Sequence, residues 1–73
     1  MTIEQLFNKY LNSDTDDAIN ELETIIDSED HTDGQSEYYN VNDNEIRGFF
    51  DNDNFYITGV NDHELDEPMQ FDY

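Results

Sequence analysis

The chain has 73 residues, with 20 Asp and Glu against two Lys and Arg, and a formal net charge of −18. A core this small supplies about 3–5 kcal/mol of net stability, and without Cys neither a disulfide nor a thiolate metal site reinforces it. The charge argues against direct nucleic-acid binding, because Lys9 and Arg47 cannot neutralise a phosphate track, and no apolar run approaches the ~18 residues of a membrane span.

Mean hydropathy is −0.98, and low hydropathy with high net charge is the signature of disorder. Two features oppose that reading: aromatics make up 14% of the chain, and the apolar residues recur at secondary-structure periods. The expectation is one ordered domain over residues 1–73. No basic region followed by an apolar stretch opens the chain, so the expected location is the cytoplasm.

Thr2 and Gln5 form a capping-box pattern. Ile3, Leu6, Phe7, Tyr10 and Leu11 follow at i, i+3, i+4, i+7 and i+8, which predicts an amphipathic helix over 2–12. Asn12 to Thr15 are turn and N-cap residue types. Asp16 and Asp17 suit a first helical turn, facing the positive end of the helix dipole. Ala18, Ile19, Leu22, Ile25 and Ile26 form a second apolar stripe and predict a helix over 15–28. The short connection favours an antiparallel pair.

Residues 29–36 contain no apolar side chain and read as a loop around Gly34. Beyond it the period changes. Tyr38, Tyr39 and Val41 predict a strand over 37–41, and Asn42, Asp43 and Asn44 a turn. Segments 45–50 and 55–60 are β-like, separated by the hairpin signal Asp51-Asn52-Asp53-Asn54. Ile46, Phe49 and Phe50 also fit helical spacing, so a short helix stays open at 45–50. Along 55–60, Phe55, Ile57 and Gly59 alternate with Tyr56, Thr58 and Val60, which lets Tyr56 face outward. Segment 61–73 reads as a turn of helix capped by Asn61, with Glu64 at its third position and an end at Pro68. Met69, Phe71 and Tyr73 then tuck onto the domain or stay loosely packed. The expected fold class is α+β: two N-terminal helices packed on a small antiparallel sheet of two or three strands.

The acids are the main candidates for function. On the second helix Asp16, Glu23 and Asp27 share one border of the apolar stripe, and Asp17 and Glu21 the other. Neighbours at i+3 or i+4 lie ~5–6 Å apart, and one DNA strand presents a charge per ~3.4 Å. Carboxylates so placed approximate a phosphate track loosely. Asp14, Glu29, Asp30, Asp33, Glu37, Asp51 and Asp53 extend the acidic surface over loop and turns. Tyr38, Tyr39 and Tyr56 are candidate interface anchors, since outward tyrosines beside acids suit protein contacts. The competing account is a solvated surface that maintains solubility. Like charges at this density destabilise the fold, which favours a basic partner that offsets the cost.

Other chemistries fit poorly. An EF-hand register with Glu29 first, His31 third, Asp33 fifth, Gly34 sixth and Asn40 twelfth lacks the opening Asp and the closing bidentate Glu. His31 and His63 match no short metal motif. No nucleophile motif, phosphate-cradling Gly loop or H-E-x-x-H occurs. The expectation is a protein that is no enzyme and has neither metal nor cofactor.

In size, charge and the scatter of acids, notably Asp14-Thr15-Asp16-Asp17, Glu29-Asp30-His31-Thr32-Asp33 and Asp51-Asn52-Asp53, the chain resembles the phage and plasmid DNA mimics. These include anti-CRISPR and anti-restriction proteins and uracil-DNA glycosylase inhibitors. The likeness is one of physical type, and no functional residue transfers through it. It implies a stoichiometric inhibitor that occupies a nucleic-acid-binding groove, with a CRISPR effector as first-choice partner and a restriction or repair enzyme second. A regulator of a basic host protein that does not copy DNA geometry is the remaining alternative.

Overall fold

Thr2 starts the first helix with a complete capping box: its Oγ1 accepts from the Gln5 amide at 3.1 Å, and Gln5 Oε1 accepts from the Thr2 amide at 2.8 Å. The computed structural model describes residues 2–30 and 32–71. Expectations placed on His31, Asp72 and Tyr73 fall outside them. Helix α1 spans Ile3–Tyr10 and buries Ile3, Leu6 and Phe7. Helix α2 spans Thr15–Asp27 and buries Ala18, Leu22 and Ile26. Its N-cap is Asp14, whose carboxylate accepts from the Asp17 amide at 3.1 Å, satisfying one of the orphan donors of a helix start.

Four strands follow: β1 (Ser36–Val41), β2 (Asn44–Asp51), β3 (Asn54–Val60) and β4 (His63–Gln70). They form one antiparallel sheet in sequential order. This settles one open point and corrects two expectations. Residues 45–50 are strand, not helix. The sheet has four strands instead of two or three. The extra one comes from segment 61–73, where a helical turn was expected.

The physical reason is a third two-residue turn. Asn42-Asp43, Asn52-Asp53 and Asn61-Asp62 each connect two successive strands. Asn42, Asp43, Asn52 and Asp53 all sit at left-handed φ, between 51° and 67°. That pair of conformations marks a type I′ hairpin turn, where Asn and Asp are favoured. Asn61 has φ 53° and turns the chain back, so it caps no helix. Pro68 lies on the edge strand, where the register passes from Gly59↔Glu64 to Ile57↔Met69. An edge irregularity is where a proline without an amide donor is tolerated.

The C-terminal segment is tied down as far as Phe71. The Phe71 amide donates to the Phe55 carbonyl at 2.7 Å, and the Phe71 side chain is buried beside Phe7, ring centroids 6.3 Å apart. One hydrophobic cluster joins Ile3, Leu6, Phe7, Ala18, Leu22 and Ile26 of the helices to Tyr39, Val41, Ile46, Phe50, Phe55, Ile57 and Val60 of the sheet. The radius of gyration is 11.1 Å, close to the ~11 Å of a folded chain this long.

A buried polar knot closes one end of the core. Asn44 is fully buried. Its Oδ1 accepts from the Asn12 amide at 2.9 Å and from Asn61 Nδ2 at 3.0 Å, and its Nδ2 donates to Ser13 Oγ and to the carbonyls of Val41 and Asn42. Asn61 Nδ2 also donates to the Tyr10 carbonyl, and Asn61 Oδ1 accepts from the Glu45 amide, both at 2.9 Å. Two hairpin asparagines thus hold the α1–α2 connection against the sheet.

Candidate partner interface

Strand alternation divides the sheet into two faces. In β2, Asn44, Ile46, Gly48 and Phe50 are buried, while Glu45, Arg47 and Phe49 are half-buried and Asp51 is exposed. In β3, Phe55 and Ile57 are buried and Tyr56 is half-buried. The expected alternation breaks at Thr58, where the register is irregular, so that Val60 joins the core opposite Ile46 and Gly59 lies opposite Arg47. The face away from the cluster therefore gathers Tyr38, Arg47, Phe49 and Tyr56.

Their geometry follows from the register. Tyr38 pairs with Arg47, and Phe49 with Tyr56. The Phe49 and Tyr56 rings stack at 5.5 Å between centroids, 17° apart. Arg47 lies over Gly59, where any Cβ would overlap the guanidinium. Its Nη2 meets Glu64 Oε1 at 2.6 Å and its Nη1 meets Glu45 Oε2 at 3.3 Å. Tyr38 is 57% exposed. Hydrogen bonding to Glu45, with the nearby negative charge, pushes its phenol above the ordinary 10.

Tyr39, named with Tyr38 as an anchor, points the other way. It is 6% exposed and packs edge-on against Phe55 at 5.5 Å. Burial, then the charges of Glu37 and Glu29, push its phenol far above 10, and its hydroxyl donates to Glu29 Oε2 at 3.4 Å. Tyr39 is a core residue and leaves the set of partner-facing side chains.

The acids stay on the surface. Asp14, Asp16, Asp17, Glu21, Asp27, Glu29, Asp30, Asp33, Asp51 and Asp53 are exposed, and Glu23 and Glu37 are half-buried. Several also hold local structure. Besides Asp14 at its cap, Asp33 accepts from the Asn52 amide at 3.0 Å and ties the loop to the β2–β3 turn. Glu37 accepts from Gln35 Nε2. The α2 acids, the loop acids and the turn acids occupy different elements, and no single element gathers them.

Sequence reasoning named neither Phe49 nor Arg47 among the partner-facing residues. The strand alternation Glu45, Arg47, Phe49 carried the signal, and the competing helical spacing obscured it. Elsewhere, His63 stacks flat on Tyr10, centroids 3.9 Å apart, beside an open recess of about 400 Å³ that Lys9 also lines. No group of three His, Asp or Glu side chains among the described residues is placed to hold a metal ion, and no helix is long and apolar enough to cross a membrane. Comparison with known proteins returns no matching family model, curated protein or solved structure.

Proposed function

We propose that this chain is a stoichiometric binding protein for a basic, nucleic-acid-handling partner, and not an enzyme. Within that class it acts as a nucleic-acid mimic that occupies the groove where the partner holds DNA. The observation that carries the reading is the charge imbalance. Two Lys and Arg face 20 acids, so internal ion pairs cannot neutralise most carboxylates, and every Asp and Glu among the described residues is exposed or half-buried. Such a surface repels itself, and a cationic groove relieves that repulsion while steering fast, salt-sensitive association.

A CRISPR effector in the cytoplasm of an infected bacterium is the first-choice target, since its channel and PAM-reading Arg residues suit a short acidic ligand. A restriction or repair enzyme is the second. The test is displacement. Labelled PAM-containing duplex is bound to a guide-loaded CRISPR effector, to a restriction enzyme and to a uracil-DNA glycosylase, and the chain is titrated into each. Release of DNA at near-equimolar chain, weakening as salt rises, is the expected result for the true target class. Charge reversal of Asp16, Glu23 and Asp27 is expected to raise the concentration needed. Binding to a partner that excess DNA leaves intact would replace mimicry with regulation of a basic protein. Absence of binding to all three enzymes would remove the proposed target classes.

A further inference from the structure

Antiparallel sheets commonly leave one face to water, and that face is normally polar. Here the middle of the open face is aromatic: Tyr38 exposed, Phe49 and Tyr56 half-buried and stacked on one another. Around them stand Glu45, Asp51 and Glu64. Ring faces beside carboxylates are the chemistry that receives a guanidinium, through cation–π attraction and bidentate hydrogen bonding.

The sheet already pairs one guanidinium with two of these carboxylates. Arg47 lies in this face with Glu64 at 2.6 Å and Glu45 at 3.3 Å. The side chains of Glu64 and Glu45 remain 70% and 47% exposed, so each keeps acceptor capacity for a second donor.

We infer that the open sheet face, centred on Tyr38, Phe49 and Tyr56, is the docking surface, and that its occupant is an arginine-bearing basic segment of a partner protein. Charge complementarity selects the occupant. A second copy of this chain brings −18 against −18, and nucleic acid or an anionic membrane surface is repelled in the same way. Arginine is favoured over lysine, because its planar group stacks on rings while its fork engages carboxylates. Acids on α2 and the turns steer the approach, and the rings hold the docked partner. This inference rests on the reading that the partner is basic.

The test uses the full chain labelled with 15N and titrated at physiological salt with two probes, a nona-arginine and a nona-lysine peptide. The expected result is saturable binding, tighter for arginine, with amide shifts concentrated at Tyr38, Arg47, Phe49 and Tyr56. Tyr38→Ser and Tyr56→Ser keep the net charge, yet together weaken the arginine complex about tenfold. Tyr38→Ser alone removes an exposed ring and leaves the core intact, so it reports on the face even if the Tyr56 variant unfolds. Binding that maps to α2 and ignores both tyrosine substitutions would overturn the assignment of the face while the basic-partner reading stands. No saturable binding of either peptide would overturn that reading and the face with it.

Discussion

Asn61 Nδ2 donates to Asn44 Oδ1 across 3.0 Å, which joins the start of β2 to the turn before β4 through two side-chain amides. Both asparagines also reach the end of α1, at the Asn12 amide and the Tyr10 carbonyl. Asn44→Ala leaves the Asn12 amide and the carbonyls of Val41 and Asn42 without this partner, at about 1–3 kcal/mol for each group that stays buried and unsatisfied. For a domain with ~3–5 kcal/mol in total, Asn44→Ala is expected to be largely unfolded at 37 °C. Asn61→Ala is expected to lower Tm less. In a double-mutant cycle by thermal melts in a stabilising osmolyte, the two losses should be non-additive by about 0.5 kcal/mol or more. Strict additivity would mean that the bond carries no coupling.

Tyr39 makes the fold sensitive to alkali. Its phenol ionises near 10 in the unfolded chain and well above 10 in the folded one, chiefly because of burial. The folded state then holds a proton that the unfolded state releases, so stability is complete below pH 10 and falls as pH rises beyond it. The slope is at most about 1.4 kcal/mol per pH unit. Denaturant midpoints measured from pH 8 to 11.5 should decline above 10 in the native chain. Tyr39→Phe should flatten that decline.

The type I′ turns place Asp43 at φ 67° and Asp53 at φ 66°, a region where side chains with a Cβ are strained and glycine is not. Asp53→Gly is expected to stabilise the domain by about 0.5–1 kcal/mol. Asp53→Asn removes the same charge but keeps the Cβ, and so separates backbone relief from electrostatic relief. Equal gains in the two variants would assign the whole effect to charge.

Self-repulsion should be visible in the salt dependence of folding. The Debye length shrinks from ~30 Å at 0.01 M to ~8 Å at 0.15 M, a change that screens acids on neighbouring elements from one another. Tm is expected to climb by several degrees over that range. A Tm that stays flat would show that the −18 charge places little load on the native state.

The α-helical half of the protein was legible from the chain because its signals are local. Thr2 with Gln5, and the apolar stripes from Ile3 to Leu11 and from Ala18 to Ile26, carry their own period and caps. The first two hairpins were also readable from Asn and Asp at the turns. The fourth strand was not, because Asn61-Asp62-His63-Glu64 satisfies a helix-cap pattern as well as a hairpin. Only pairing with β3 separates the two. Similarly, Ile46, Phe49 and Phe50 fit a helix until strand register sends Phe49 to one face and Ile46 and Phe50 to the other.

By itself the sequence determined the charge and the exposure of the acids. Those properties follow from composition and from the cost of burying a carboxylate, whatever the fold. Tertiary structure decided which aromatics face solvent. Tyr38 and Tyr39 are neighbours in the chain with the same chemistry, yet one is 57% exposed and the other 6%. Strand geometry sends successive side chains to opposite faces, and the register of a four-stranded sheet fixes which face is the core.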